Sequence, residues 1–104
     1  MRPNRMTSVE IEQRSRRIPS WIVESDPRDA LYLEWKGKNF VETFALMTDV
    51  AALAEELNHH PEWFNVYSRL TIRLTTHDVG GLSELDFTMA ERIDLLIKER
   101  MQAG

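Results

Sequence analysis

A clean alternation of apolar and polar side chains between Val66 and His77 constrains the fold more than any other feature. A period of two is typical of a β-strand that buries one face and leaves the other in water. About ten residues is long for one strand, so the pattern fits either one long strand or two strands divided by a tight turn near Ser68 and Arg69. The residues on the apolar side of the alternation are Val66, Leu70, Ile72 and Leu74, and those on the polar side are Tyr67, Arg69, Thr71, Arg73, Thr75 and His77.

The rest of the chain predicts three helices and a β-hairpin. Capping sequences begin at Thr7 and Ser83, and apolar residues recur at helical spacing after Asn39. The expected order is a helix at 8–17, strands at 21–25 and 30–36 joined by a turn at 26–29, a helix at 39–57, one or two strands, and a helix at 83–102. This order is not a regular βαβ alternation. It predicts a two-layer α+β fold in which helices pack on one face of an antiparallel sheet of three or four strands.

Two helical stripes are predicted to be core. The stripe of the central helix is Phe40, Phe44, Met47, Ala51 and Ala54, and that of the last helix is Leu85, Met89, Ile93, Leu96 and Met101.

Length and composition exclude several classes of function. With 104 residues we expect one domain over 1–104, in which 1–20 is an N-terminal segment with a short helix. The absence of cysteine excludes disulfides, thiol nucleophiles and cysteine-ligated metals. A net charge of -4 argues against a non-specific nucleic-acid partner. Neither a secretory signal nor an apolar run of roughly 18 residues is present, so we expect a cytoplasmic protein with no membrane partner.

The three histidines all lie where predicted elements end. They can be read as ordinary loop residues, as zinc ligands, or as general acid–base catalysts. A metal site is disfavoured because the adjacent His59 and His60 should point apart, and no HExxH pattern is present. In the acid–base interpretation Glu55, one helical turn before His59, can bind that ring and fix its tautomer.

Aromatic residues cluster beside the histidines. Trp63, Phe64 and Tyr67 can pack in the core and sheet, or they can form a flat wall for a planar heterocycle. Gly80-Gly81 lacks the Lys-Ser/Thr of a phosphate loop, and no serine lies in a nucleophile elbow.

Several of these residues together resemble the signature of the pterin-4a-carbinolamine dehydratases. The segment from Glu55 to Tyr67, which reads EELNHHPEWFNVY, matches it. The similarity continues through 70–74, Thr75-Thr76-His77-Asp78, Gly80-Gly81-Leu82-Ser83 and Asp86, and it covers the chain from about Trp21 onward. The family fold favours four antiparallel strands and therefore a real turn near residue 68.

The resemblance implies an activity and roles for individual residues. The family dehydrates 4a-hydroxy-tetrahydropterin to quinonoid dihydropterin, without a metal or organic cofactor, and so recycles the pterin of aromatic amino-acid hydroxylases. By resemblance, His59 and His77 form the acid–base pair, His60 positions the substrate, and Glu55 supports the site. Asn58, Thr75, Thr76 and Asp78 match pocket positions, and Trp63 is expected to bind the pterin. Asp86 fits either a catalytic or a helix-capping role. Asn58 departs from the Asp of animal members, so an acidic contact to the pterin amino group is lost at this position.

A second function remains open at this point. Animal members of the family resemble a dimerisation cofactor for a transcription factor, so a protein-binding regulatory module is the alternative. The resemblance also implies a homodimer or homotetramer.

Overall fold

A four-stranded antiparallel sheet forms one layer of the structure, and three helices form the other. The computed structural model describes residues 3–103. The elements are α1 (Ser8–Ser15), β1 (Ile22–Glu24), β2 (Ala30–Lys36), α2 (Phe40–Leu57), β3 (Glu62–Val66), β4 (Arg69–Leu74), a 3₁₀ turn (His77–Val79) and α3 (Glu84–Ala103). The strands lie in the order β1-β2-β4-β3, so β1 and β3 are the edges. The predicted fold class is confirmed.

A two-residue turn divides the long alternating segment into β3 and β4. Val66 pairs with Arg69 across this turn, and Tyr67 has a φ of 51°. The Asn65 side-chain amide donates to the carbonyls of Tyr67 (3.0 Å) and Arg69 (2.9 Å). A positive φ suits the tight turn of a hairpin because its twist matches that of the strands. The alternation therefore comes from two strands, and β3 begins at Glu62, earlier than the alternation does.

The core lies between the apolar face of the sheet and the inner faces of the helices. Leu70, Ile72 and Leu74 of β4 are fully buried, whereas Thr71 and Arg73 on the opposite face are half-buried. One buried cluster joins the strand residues to Ile11 of α1, Leu46, Val50 and Leu53 of α2, and Phe87, Met89, Ala90 and Ile93 of α3.

The predicted core stripe of α2 is largely wrong. Phe40 and Phe44 are 45% and 52% exposed, and Ala51 is exposed. Of that stripe, Ala54 is buried and Met47 is half-buried against the core. The buried face is instead formed by Thr43, Leu46, Val50, Leu53 and Ala54. The prediction failed because α2 carries apolar residues on more than one face, so two stripes with helical spacing compete.

The buried Thr43 shows why its face could turn inward. The hydroxyl donates to the carbonyls of Asn39 (2.7 Å) and Ser68 (3.3 Å), so it has acceptors in the interior. A buried polar group that finds a partner avoids most of its desolvation cost.

The last helix follows its prediction more closely. Met89 and Ile93 are buried and Leu85 and Leu96 are half-buried, but Met101 is 74% exposed because it lies near the helix end. Within residues 3–103, no helix combines the length and the apolar character needed to cross a membrane.

Candidate active site

The end of α2 directs two adjacent histidines to opposite sides. Asn58 caps the helix in the left-handed conformation, with φ 49° and ψ 45°. Asparagine tolerates this conformation better than most residues. The chain reverses there, so His59 turns into the protein and His60 stays at the surface.

His59 binds a buried carboxylate. Its Nε2 lies 2.6 Å from Oδ1 of Asp86, which has no exposed surface. Because an ionised carboxylate only accepts, the ring donates from Nε2 and keeps Nδ1 for a second partner. Oδ2 of Asp86 accepts from the Thr76 hydroxyl (2.7 Å) and from the Ser83 amide (2.9 Å). Asp86 therefore caps the start of α3 and also fixes the His59 ring, so a helix-capping role and a catalytic role of this residue are compatible.

Glu55 contacts a different histidine from the one expected. Its Oε2 lies 2.6 Å from Nε2 of His60, and both side chains are exposed, at 77% and 58%. The predicted pairing of Glu55 with His59 is wrong because the left-handed cap at Asn58 turns His59 away from the last turn of α2 and brings His60 back over it.

His77 opens the 3₁₀ turn after β4 and is 62% exposed at its side chain. Nε2 lies 3.1 Å from Oε2 of Glu62 on β3. Nδ1 lies within hydrogen-bonding distance of the Arg28 guanidinium. Arg28 belongs to the turn between β1 and β2, which the sequence marked only as a turn.

One open cavity of about 280 Å³ brings the three histidines together. It is lined by Pro3, Asn58, His59, His60, Thr75, Thr76, His77, Asp78 and Leu85. The residues predicted for the pocket are all in that set except Trp63, which lies on the edge strand β3 and is 36% exposed. Glu55 reaches the site through His60. Pro3 and Leu85 were not foreseen, because Pro3 lies far along the chain from the motif and Leu85 was assigned to the core stripe of the last helix.

The hydroxyls of the two threonines are committed within the protein. The Thr75 hydroxyl donates to the carbonyl of Asp29 (2.9 Å), and the Thr76 hydroxyl pairs with Asp86 and Ser83. These bonds fix the end of β4 beside His77.

The histidines are not grouped as metal ligands. Among the described residues no set of three or more His, Cys, Asp or Glu is arranged to hold a metal ion. His59, His60 and His77 each point a ring nitrogen at a different carboxylate.

Comparison with known proteins gives a consistent family. A family model described as pterin 4 alpha carbinolamine dehydratase matches residues 4–96. A protein of Prochlorococcus marinus (strain MIT 9313) is 50% identical over 91 residues, covering 88% of this chain and 92% of its own length. A protein of Sinorhizobium medicae (strain WSM419) is 42% identical over 101 residues, covering 97% and 95%. The naming of both relatives as pterin-4-alpha-carbinolamine dehydratases is itself an inference.

Solved structures agree in fold. The crystal structure of a transcriptional coactivator/pterin dehydratase from Brucella melitensis matches with a TM-score of 0.85 and 39% identity, covering 89% of this chain and 98% of that one. A pterin dehydratase-like protein identified as a RuBisCO assembly factor in the alpha-carboxysome matches with a TM-score of 0.64 and 27% identity, covering 74% and 88%. Because the family model matches residues 4–96, which is most of the chain, this chain belongs to the pterin-4-alpha-carbinolamine dehydratase family.

Proposed function

We propose that the chain dehydrates 4a-hydroxy-tetrahydropterin to quinonoid dihydropterin and water by histidine general acid–base catalysis. We extend the proposal to tetrahydrobiopterin recycling in the cytoplasm, in keeping with the lack of cysteine. The observation that carries the proposal is the convergence of three histidines on one cavity, with the buried Asp86 carboxylate behind His59. It is supported by membership of the family.

The reaction needs two proton transfers. A proton must reach the 4a-hydroxyl so that it leaves as water when the carbon–oxygen bond breaks. The neighbouring ring nitrogen must lose its proton, and the electrons of that N–H bond form the new carbon–nitrogen double bond. Imidazole suits both tasks near neutral pH.

His59 is suited to donate the proton to the hydroxyl. A carboxylate that accepts from one ring nitrogen orients an imidazole and stabilises its imidazolium form, which carries a second proton on Nδ1 and gives that proton to the hydroxyl. Asp86 is in that position, and it is held by the Thr76 hydroxyl and the Ser83 amide. His77 then receives the proton from the ring nitrogen. Neither step requires a change of oxidation state.

The remaining residues bind and orient the pterin. His60, fixed by Glu55, faces the cavity from the solvent side and positions the substrate. Asn58 and Asp78 supply polar contacts at the rim. Thr75 and Thr76 shape the wall, because their hydroxyl protons are already committed to protein acceptors.

Stopped-flow dehydration by single-histidine variants tests these roles. His59→Ala and His77→Ala should each lower kcat by about 10²-fold or more, the usual contribution of a general acid or base. His60→Ala should act mainly on KM. Equal, small effects of all three substitutions would refute the division of roles.

We further propose that the chain forms a homo-oligomer through the outer face of α2. Phe40 and Phe44 are exposed there, with ring centroids 5.8 Å apart, and Val41 is 72% exposed. Toward the C-terminal end the same helix exposes the small side chains of Ala51 and Ala52. If two copies pair antiparallel about a two-fold axis, the large side chains of each meet the small ones of the other, as a self-complementary interface requires.

A protein-binding regulatory role is the second candidate. The exposed apolar face of α2 favours it, since such patches commonly mark interaction sites. The Brucella structure is described as a transcriptional coactivator as well as a dehydratase, and the alpha-carboxysome protein as an assembly factor. A partner-binding role predicts that substitutions on α2 abolish the biological effect while the dehydration rate of the purified protein stays unchanged.

A further inference from the structure

Arg28 contacts His77 from outside the cavity. Its guanidinium Nη1 lies within hydrogen-bonding distance of Nδ1 of the ring, 49 positions away in the sequence. Arg28 does not line the cavity that holds the histidines. The contact with His77 is the link between Arg28 and the cavity.

The backbone that carries Arg28 is tied to the strand that leads to His77. The Thr75 hydroxyl donates to the carbonyl of Asp29 at 2.9 Å, and the Arg73 guanidinium donates to the carbonyl of Arg28 at 3.4 Å. Both donors are on the last residues before the 3₁₀ turn of His77. The turn between β1 and β2 and the end of β4 are thus one unit, and the Arg28 side chain spans a short distance within it.

The contact determines which ring nitrogen carries the proton. An arginine side chain only donates, so Nδ1 of His77 must accept and carries no proton. The proton of the neutral ring is then on Nε2, which donates to Oε2 of Glu62 at 3.1 Å. Arg28 and Glu62 together fix one tautomer and one ring orientation.

Arg28 and Glu62 have opposite effects on a positive charge at His77. The guanidinium disfavours the imidazolium, both by repulsion and because a proton on Nδ1 would displace the hydrogen bond. The Glu62 carboxylate favours it, although Glu62 shares its own charge with Arg73, whose Nε lies 3.5 Å from Oε1. Two more carboxylates are near this group, Glu24, which binds Arg73 at 3.1 Å, and Asp78, the next residue after His77.

We propose that Arg28 is a positioning residue that holds His77 in the neutral Nε2–H tautomer, and in one ring orientation, before substrate binds. The inference rests on the proposed dehydratase function and extends it to a residue on the turn between β1 and β2. Nδ1 is the nitrogen that can accept a proton in this tautomer, so the substrate must displace the Arg28 guanidinium from Nδ1 before that transfer.

The first test follows His77 directly by NMR in the substrate-free protein. The two other histidines are distinguished by the spectra of single His→Gln variants, and the nitrogen shifts report which ring nitrogen is protonated. Arg28→Met keeps the alkyl stem and removes the donor to Nδ1, so the nitrogen shifts should show a mixture of the two His77 tautomers in place of the Nε2–H form. Glu62→Gln keeps an acceptor oxygen and should leave the Nε2–H tautomer in place. Arg16→Met, which removes an exposed arginine of the C-cap of α1, is the matched control and should change nothing.

The second test measures dehydration. Arg28→Met should lower kcat about tenfold with little change in KM, as expected when the partner that orients a catalytic group is lost. Arg28→Lys, which keeps a charged donor, should restore most of the rate.

The outcomes separate this inference from the proposed function. A wild-type His77 ring that is not in the Nε2–H tautomer, or a ring that keeps this tautomer in Arg28→Met, would overturn the inference even if the enzyme is active. A merely structural role of Arg28 would change stability without changing the tautomer of His77. An inactive wild type would contradict the proposed function and, with it, the positioning role of Arg28 in catalysis. The NMR test would still decide whether Arg28 controls the tautomer of the His77 ring.

Discussion

Replacing Asp86 with asparagine should separate the two tasks of the buried carboxylate. The substitution keeps the size of the side chain but replaces one acceptor oxygen by an NH₂ donor. Asp86 accepts from His59 Nε2, the Thr76 hydroxyl and the Ser83 amide, at 2.6, 2.7 and 2.9 Å. The amide oxygen cannot accept from all three, so at least one buried donor loses its acceptor unless the His59 ring changes tautomer.

The magnitude follows from the bonds that are lost. A hydrogen bond to a charged group contributes about 1.5–3 kcal/mol, and a weakened helix cap costs about 1 kcal/mol. We therefore expect Asp86→Asn to lower the free energy of unfolding by about 3 kcal/mol, which corresponds to a fall in Tm of at least about 10 °C for a domain of this size. If His59 switches tautomer and accepts from the new amide, part of the stability returns. The ring is then in the wrong tautomer, so kcat should still fall by about 10²-fold or more.

Two assays and one control make the test specific. Urea unfolding gives the stability, and stopped-flow dehydration is measured at a temperature at which circular dichroism shows the variant folded. Asp94→Asn is the matched control because Asp94 also accepts from a ring N–H, that of Trp21 at 2.8 Å, but outside the cavity. It should leave the rate within about threefold of wild type. A folded Asp86→Asn variant with a wild-type rate would refute the role assigned to the carboxylate behind His59.

Three further predictions concern other parts of the chain. Glu55→Gln should raise KM several-fold through loss of its contact with His60 and should change stability little, because the pair is exposed; a large loss of kcat at unchanged KM would contradict this. Burial is the main cause that raises the pKa of Asp94 above 3.8. The folded protein therefore binds the proton of the Asp94 carboxyl more readily than the unfolded chain does, so the free energy of unfolding falls as pH rises above this value. Asp94→Asn has no carboxyl to titrate at this position, so the free energy of unfolding of the variant, relative to that of the wild type, should increase from about pH 3 to about pH 7. Urea unfolding measures this difference, and a difference independent of pH would contradict the prediction. Phe44→Glu should reduce the mass measured by sedimentation velocity, whereas Val9→Glu on α1, also at an exposed apolar position, should not; an unchanged mass for Phe44→Glu would remove α2 as the interface.

The sheet was predictable because its signal is local. The parity of Leu70, Ile72 and Leu74 determines which face is buried, whatever lies opposite. The turn at Tyr67 was located only to within a residue or two, since both one strand and two strands preserve that parity. The residues of the helix α2 could not be assigned to a face, because Phe44 and Leu46 belong to competing stripes and tertiary packing decided between them.

The site was predictable as a set of residues but not as a set of bonds. The spacing of the histidines, through the family resemblance, foresaw most of the cavity lining. The pairing of Glu55 with His60 depends on one left-handed residue, Asn58, whose conformation no periodic pattern reveals. The contact between Arg28 and His77 depends on how β1, β2 and β4 assemble, which is information that the sequence holds only through the fold.

The most direct measurement of the central claim is the rate of 4a-hydroxy-tetrahydropterin dehydration with and without the purified wild-type protein, followed by stopped-flow absorbance at neutral pH in the presence of EDTA. The account predicts clear acceleration that is proportional to protein concentration and lost in His59→Ala. A rate equal to that of buffer alone, from protein shown to be folded, would contradict the proposed activity and leave the exposed face of α2 as the feature that needs a function.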